Sequence, residues 1–205
     1  MLLVQGKTIA GNFYDKYHSK NPITKYLMKG FYNAISDLVL LSGVSQDVHE
    51  VGCGEGHLTS FINKLVKTKI RGSDFSESII AKAQENYRDI NFKVASIYSL
   101  EENIDSAELV VCCEVLEHLE RPEEALVVLS KITRKYCLLS VPREPIWRLL
   151  NMARGRYLKN FGNTPGHIQF WTKGSFIRMV RNYFEIVEVR TPLPWTVVLC
   201  KKRGN

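Results

Sequence analysis

Residues 48–57 read Val-His-Glu-Val-Gly-Cys-Gly-Glu-Gly-His, and this stretch decides the fold. An apolar run containing the acidic Glu50 breaks into alternating glycines, and residues 58–66 then show the apolar spacing of a helix. The stretch therefore predicts a strand, a tight turn and a helix. Glycines in such a turn let the backbone approach a ligand closely, and the start of the helix offers unpaired N–H groups to it.

A second acidic residue indicates what the turn binds. Asp74 ends the next predicted strand and lies 22 residues after Gly52. At that distance a β-α-β unit brings a carboxylate back beside the turn, where it can meet ribose hydroxyls. The glycines follow the pattern Gly-x-Gly-x-Gly rather than Gly-x-Gly-x-x-Gly, which argues against a nicotinamide or flavin site.

Residues 50–56 resemble the first motif of the class I S-adenosylmethionine (SAM)-dependent methyltransferases. Residues 91–97 resemble the third motif and residues 107–118 the fourth, so that the resemblance covers roughly residues 45–200. It implies that SAM is the cofactor. The residues that the resemblance and the turn together assign to the cofactor are Tyr14, Glu50, Gly52, Cys53, Gly54, Asp74, Phe75, Ser96, Ile97, Cys113 and Glu114.

One position departs from the family pattern. Where many relatives carry an Asp that meets the adenine amino group, this chain has Ser96. Adenine recognition is therefore expected to depend on the Ser96 hydroxyl and on backbone groups near Ile97, and Phe75 is expected to flank the adenine.

The rest of the chain alternates strands and helices, which predicts one α/β domain over residues 1–205. Predicted strands are 47–52, 69–74, 91–95, 108–113, 136–141, 184–190 and 195–201; predicted helices are 56–66, 76–87, 121–134 and 173–182. The expected fold is a doubly wound, Rossmann-like, seven-stranded and mostly parallel sheet. Only residues 191–194 join the last two strands, which is too short for a crossover, so the final strand should be antiparallel.

Two further segments flank this core. Residues 1–45 are expected to form an N-terminal helical cap, with Pro22 in a first turn. One apolar stripe is predicted along that helix, made of Ile23, Leu27, Phe31, Ile35 and Leu38. Residues 142–172 form an insertion that carries five basic residues, one acid and several aromatics. A long insertion at the ligand edge of an α/β sheet is usually functional, and we interpret it as a lid over the acceptor.

Titratable residues follow the fourth strand of the core. If the chain turns helical there, Glu114, Glu117 and His118 share one face. Together with His167 from the end of the insertion, they could bind Mg²⁺ or Mn²⁺. This pattern resembles the ubiquinone-biosynthesis catechol O-methyltransferases and the small-RNA 3′-terminal 2′-O-methyltransferases. Two alternatives stay open: His118, His167 and Glu117 act without metal as base and orienting groups, or the cluster is purely structural.

Composition limits the class of protein. The apolar and charged fractions, 45% and 24%, are those of an ordinary globular chain. No apolar run reaches the length of a membrane span, and the first residues lack the pattern of a secretory signal. Five cysteines without C-x-x-C spacing suggest buried free thiols in a reducing compartment, so a cytoplasmic location is expected.

The sequence therefore predicts a SAM-dependent methyltransferase acting on a small, acidic acceptor, most simply at oxygen. The arginines of the insertion suggest the acidic acceptor. The net charge of +7 and the interleaved aromatics leave an RNA methyltransferase as an alternative. A catalytically silent SAM-binding module is a second alternative. The sequence does not predict the oligomeric state.

Overall fold

A computed structural model describes residues 3–5, 8–10 and 21–204, with side chains for 21–204. Nine strands lie within these ranges: β1 Leu3–Gln5, β2 Thr8–Ala10, β3 Asp47–Val51, β4 Lys69–Asp74, β5 Asn91–Val94, β6 Ala107–Cys113, β7 Thr133–Pro142, β8 Phe184–Arg190 and β9 Trp195–Lys202. Seven of them form one sheet in the order β5-β4-β3-β6-β7-β9-β8. Strand β9 is antiparallel to both of its neighbours, and the other pairings are parallel. The predicted fold class and the antiparallel last strand are confirmed.

The strand order places a ligand crevice in the middle of the sheet. From β3 the chain winds outward through β4 and β5, then returns to add β6 and β7 on the other side. In doubly wound sheets the crevice outside the carboxyl ends of the strands at such a reversal binds the ligand. The glycine turn follows β3 and Glu114 follows β6, so both lie at this edge.

Helices cover both faces of the sheet. They are α1 Pro22–Ser42, α2 His57–Leu65, α3 Glu77–Asn86, α4 Glu102–Asp105, α5 Pro122–Ile132, α6 Ile146–Ala153 and α7 Lys173–Val180. Helices α1 and α2 pack against one face through a cluster that includes Phe31, Leu38 and Ile62. Helices α5 and α7 pack against the other face through Leu126, Leu129 and Phe176.

The N-terminal cap differs from the expectation. Its helix begins at Pro22, where the Asn21 side chain accepts hydrogen bonds from two backbone amides. Residues 3–5 and 8–10 pair instead as two antiparallel strands, so a cap that is helical throughout is wrong. The β-branched residues of both tripeptides, separated by Gly6-Lys7, favour strands. The predicted apolar stripe is also shorter than expected, because Ile23 is 56% exposed.

One element boundary and one short helix also differ from the prediction. The helix predicted over 121–134 ends at Ile132, and Thr133 already belongs to β7. The Thr133 hydroxyl donates to the carbonyl of Leu129 (2.7 Å) and so satisfies an acceptor at the helix end. The short α4 had no recognisable periodicity. The insertion 142–172 carries a helix of its own, α6.

The expectation of buried free thiols agrees with the structure. The five cysteines, Cys53, Cys112, Cys113, Cys137 and Cys200, are free thiols and all are buried. Among the described residues, none of the helices combines the length and the apolar character that crossing a bilayer would require.

Candidate functional site

The glycine turn after β3 is held against the next strand and leaves space on one side. The amides of Gly52 and Cys53 both donate to the carbonyl of Ser73, at 2.7 and 3.0 Å. Gly52 has φ +74°, and a Cβ there would lie 2.3 Å from a methyl of Val115, so only glycine fits. Gly54 has φ +55°, and a Cβ there would meet no atom within 4 Å. The turn therefore presents an open face at Gly54.

Asp74 lies beside this turn, as the β-α-β spacing predicts. Its Oδ2 accepts the Gly54 amide at 3.1 Å, and its Oδ1 accepts the Ser76 amide at 3.0 Å. Burial raises the pKa of Asp74, although these backbone amides act in the opposite direction. The two backbone amides therefore orient the Asp74 carboxylate beside the turn, where a ligand is expected to bind.

A cavity of about 70 Å³ opens on the turn, and we call it the glycine-turn cavity. Its lining residues are Phe31, Glu50, Gly52, Cys53, Gly54, Glu55, His57, Leu58, Cys113 and Glu114. Six of the predicted cofactor residues are in this set. The space is thus bounded by the residues that the sequence assigns to a cofactor.

The other predicted cofactor residues lie outside this lining. Phe75 follows Asp74 and is half-buried, whereas Ile97 is buried in the core. The Ser96 hydroxyl accepts the amide of Tyr98 at 3.4 Å and caps a 3₁₀ turn over Ile97–Ser99. Tyr14 lies outside the described residues. Contact of Phe75, Ser96 and Ile97 with adenine stays a prediction.

Glu50 is an acid buried almost completely at the carboxyl end of β3. Burial raises its pKa to about 8, although a hydrogen bond from the Thr59 hydroxyl acts in the opposite direction. The other buried titratable group on the same strand, His49, has its pKa lowered by burial to about 4. Its ring bridges the Asp105 carbonyl and the Ser73 hydroxyl, both at 2.9 Å.

These two shifts predict a distinctive pH dependence of stability. From pH about 4.5 to about 8 the folded chain keeps a proton on Glu50 that the unfolded chain releases, so the free energy of unfolding falls as pH rises. His49 acts oppositely, but only below its ordinary value of 6.5. Between pH 6.5 and 8, we expect the free energy of unfolding to fall less steeply in Glu50→Gln than in the parent, with slopes that differ by up to about 1.4 kcal/mol per pH unit.

Urea unfolding of both proteins at four pH values across that window measures this difference. The glutamine keeps an acceptor for the Thr59 hydroxyl, so the variant removes the titration and preserves the hydrogen bond. Parallel curves for the two proteins would show that Glu50 already ionises near its ordinary pKa.

A second cavity, of about 130 Å³, lies between α1, the insertion 142–172 and the turn that follows β6; we call it the His167 cavity. Its polar lining includes Glu114, Glu117, His118 and His167, together with Arg154, Arg156 and Tyr157 of the insertion. Leu27, Met28 and Leu150 give it an apolar wall. Glu114 lines both cavities, so the two spaces meet at this residue.

Three of the four expected metal ligands come together in the His167 cavity. Ligand atoms of Glu117, His118 and His167 all lie within 4.8 Å of one another. His118 Nδ1 is 2.9 Å from the Gly166 carbonyl, and its Nε2 is 3.9 Å from a Glu117 oxygen. The carbonyl fixes the proton on Nδ1, so the Nε2 lone pair faces the group.

Glu114 is not a member of this group. Its two oxygens accept hydrogen bonds from the Ser140 hydroxyl at 3.0 Å and from Trp195 Nε1 at 2.6 Å. The expected α-helical face is wrong, because Glu114 has φ +60° and only Leu116–His118 form a 3₁₀ turn. The left-handed backbone at Glu114 breaks the i, i+3, i+4 alignment on which the four-ligand expectation depended.

Several residues of the site carried no signal in the sequence. The Thr59 hydroxyl contacts Glu50, and Ser140 and Trp195 hold Glu114. The Trp147 ring stacks on His167 with centroids 5.6 Å apart. Trp147 stood out only as one aromatic of the insertion, and Trp195 only as the first residue of a strand. Their partners are distant in sequence, so only the fold reveals these contacts.

Comparison with known proteins identifies the family. Residues 48–135 match the family model described as a methyltransferase domain. The ubiquinone biosynthesis O-methyltransferase of Rickettsia bellii is 31% identical over 194 residues, which cover 84% of this chain and 74% of that protein. A protein of Invertebrate iridescent virus 6 is 37% identical over 89 residues, which cover 43% of this chain and only 31% of the viral protein.

A solved structure supports the fold. The magnesium protoporphyrin IX methyltransferase of Synechocystis PCC 6803, crystallised with bound S-adenosylhomocysteine (SAH), superposes with a TM-score of 0.68. The alignment covers 90% of this chain and 89% of that one at 16% identity, so it concerns the fold alone. With the match to the Rickettsia enzyme over most of both chains, these findings show that the protein belongs to the class I SAM-dependent methyltransferases and is a methyltransferase enzyme that uses SAM.

Proposed function

We propose that the protein methylates an oxygen atom of a small, acidic acceptor that binds in the His167 cavity. One observation carries the proposal: Glu117, His118 and His167 converge in a cavity that meets the glycine-turn cavity at Glu114. A proton-accepting group thus lies next to the space assigned to the cofactor. The name of the Rickettsia relative, an O-methyltransferase, supports the choice of oxygen.

The chain provides a fitting place for SAM. The open face at Gly54 leaves room that a side chain would fill, and Glu50 and the turn backbone would hold the methionine part. Asp74, directed by two backbone amides, would hold the ribose. When bound, SAM supplies an electrophilic methyl group on a positively charged sulfur. The residues around Glu114 then need only align an acceptor oxygen with that methyl group and exclude water.

His118 is placed to take the acceptor proton. Its Nδ1 donates to the Gly166 carbonyl, so the basic nitrogen is Nε2, which lies 3.9 Å from a Glu117 oxygen. Nε2 would accept the proton of the acceptor hydroxyl as its oxygen takes the methyl group that bound SAM would supply, and the sulfur would keep the electron pair of the broken bond. The Glu117 carboxylate, 3.9 Å from Nε2, stabilises the imidazolium that results.

The same three residues would also hold a divalent cation. Two imidazole nitrogens and one carboxylate oxygen suit Mn²⁺ better than Mg²⁺, which prefers oxygen ligands. The Gly166 carbonyl orients the His118 ring as outer partners of metal-bound histidines do. A cation held there would lower the pKa of an acceptor hydroxyl.

The insertion supports an acidic acceptor. Arg154 and Arg156 line the cavity together with Tyr157, on the side provided by the insertion. A guanidinium pairs with a carboxylate or phosphate through two parallel hydrogen bonds. An acceptor that carries its anionic group toward α6 and its hydroxyl toward His118 would satisfy both ends of the cavity.

Methylation of 3,4-dihydroxybenzoate, with SAM labelled on the methyl group, tests this function. The compound carries a carboxylate for the arginines and a hydroxyl pair for the histidines. We expect a methyl ether product. Loss of turnover in EDTA with recovery in Mn²⁺ would assign a cation to the site, whereas turnover unaffected by EDTA would leave His118 as a metal-free base. SAH binding without transfer to any phenolic acid would indicate a silent SAM-binding module.

RNA is a second candidate acceptor because aromatic and basic side chains alternate on the surface of the insertion. Phe161 is 78% exposed, Phe170 is 41% exposed, and the Arg148 guanidinium lies 4.2 Å from the centre of the Phe170 ring. Such surfaces stack single-stranded bases. Retention on single-stranded RNA that weakens steeply with salt, together with labelling of the RNA, would favour this acceptor.

A further inference from the structure

We infer that Thr164 and Trp147 are positioning residues that tie His167 to helix α6, so that His167 reaches Glu117 and His118 only while α6 is docked. The inference rests on the proposed role of His167 in methyl transfer. Two sets of contacts connect α6 to His167: hydrogen bonds to the Thr164 hydroxyl, and the stacking of the Trp147 ring on the His167 ring.

The hub is the side chain of Thr164, which is 9% exposed. Its hydroxyl oxygen accepts hydrogen bonds from Trp147 Nε1 at 2.9 Å and from Asn151 Nδ2 at 3.2 Å, and both donors lie on α6. The Thr164 carbonyl in turn accepts the His167 amide at 3.1 Å. One residue therefore connects the helix to the backbone of the histidine.

Trp147 also acts directly on the imidazole. Its ring stacks on the His167 ring with a centroid distance of 5.6 Å and an interplanar angle of 27°. The His118 ring meets His167 edge-on, with centroids 4.9 Å apart. The indole thus closes one face of His167 while its N–H holds the turn that carries the histidine. Two independent contacts from one side chain fix both the position and the plane of the imidazole.

The other end of the turn is attached to the residues after β6. The amides of Ile168 and Gln169 donate to the Glu117 carbonyl at 2.9 and 3.1 Å. Asn151 Nδ2, besides reaching Thr164, donates to the Gly162 carbonyl at 2.8 Å. The segment 162–169 therefore bridges α6 and the Glu117–His118 turn. If α6 leaves, the segment keeps its anchor at Glu117 but loses the contacts that direct His167.

The hydroxyl of Thr164 orients its partners, which a side chain that only fills space could not do. An aliphatic side chain at position 164 would fill the same volume, but it would leave the Trp147 N–H without this acceptor and Asn151 Nδ2 with the Gly162 carbonyl alone. A polar hub fixes orientation more than it adds stability, because each hydrogen bond replaces one to water. Fixing a group to within a fraction of an ångström is what a proton-transferring or ligating histidine requires.

Thr164→Val tests the inference, with Thr164→Ser as its matched control. The valine keeps the shape and removes the acceptor, whereas the serine keeps the hydroxyl. In the valine variant we expect kcat for 3,4-dihydroxybenzoate to fall at least tenfold and amide hydrogen exchange over residues 162–169 to accelerate at least tenfold. SAH affinity should stay within twofold of the parent, because the glycine-turn cavity is not involved. The serine variant should restore slow exchange and most of the turnover.

Trp147→Phe removes the same hydrogen bond from its other end and keeps an aromatic ring over His167. Because the bond is shared, the double variant with Thr164→Val should be less impaired than the product of the two single effects. Unchanged exchange in Thr164→Val would overturn the coupling, whatever the activity. If exchange accelerates in Thr164→Val but kcat is unchanged, Thr164 does not position a reactive group and His167 does not act in the proposed reaction. That outcome would not affect the conclusion that the protein uses SAM.

Discussion

Replacing His118 with asparagine is expected to lower the rate of methyl transfer about 10²–10⁴-fold, the range typical of losing a positioned acid or base. The asparagine amide can still donate to the Gly166 carbonyl in place of Nδ1, which lies 2.9 Å from it. The substitution therefore removes Nε2 while keeping the contact that holds the turn. Nε2 is needed whether it takes the acceptor proton or binds a cation, so the expected loss does not depend on that choice.

Single-turnover measurements with saturating SAM isolate this step from cofactor binding. His118→Gln is the matched control, because its longer amide reaches toward the place of Nε2 without a basic lone pair. We expect both variants to bind SAH as the parent does and both to transfer the methyl group slowly. Turnover of His118→Asn within threefold of the parent would exclude His118 from the reaction and leave His167 as the remaining imidazole of the group.

The grouping of Glu50, the glycine turn and Asp74 could be predicted because these residues are close in sequence. A strand, a turn and a helix place Glu50 and the glycines within one local unit, and the next strand returns Asp74 to the turn. These relations depend on short-range geometry that apolar periodicity and glycine positions reveal. The same local rules predict the seven strands and the antiparallel last strand.

The His167 cavity, proposed to hold the acceptor, depends on contacts between residues that are far apart in sequence. Trp195 begins the last strand and reaches Glu114 across the sheet, a pairing that leaves no pattern in the sequence. The helical face expected for Glu114 fails because one residue adopts the left-handed backbone. His167 could be assigned from its place at the end of the insertion, but its attachment to α6 through Thr164 could not, because threonine is common in loops and its partners lie 13 and 17 residues away.

Gly54→Ala is expected to lower SAH affinity at least tenfold, and Gly43→Ala provides a control with nearly the same φ angle. Both glycines adopt positive φ, +55° and +60°, and a Cβ at either would meet no atom within 4 Å. The strain of an alanine in that region should therefore reduce the free energy of unfolding by a similar amount in both, about 1–2 kcal/mol. Of the two glycines, Gly54 lines the glycine-turn cavity, whereas Gly43 directly follows α1 and its amide donates to the Leu40 carbonyl.

Calorimetry with SAH and urea unfolding together separate the two effects. We expect the two variants to lose the same free energy of unfolding, but only Gly54→Ala to lose affinity for SAH. That result would show that SAH binds against the open face of the turn. The amide of Gly54 also donates to Asp74 at 3.1 Å, so a methyl group that displaces the turn would misdirect the carboxylate expected to hold the ribose. If Gly54→Ala binds SAH as tightly as Gly43→Ala does, the cofactor does not approach this turn, and the assignment of Glu50 and Asp74 to the cofactor loses its structural basis.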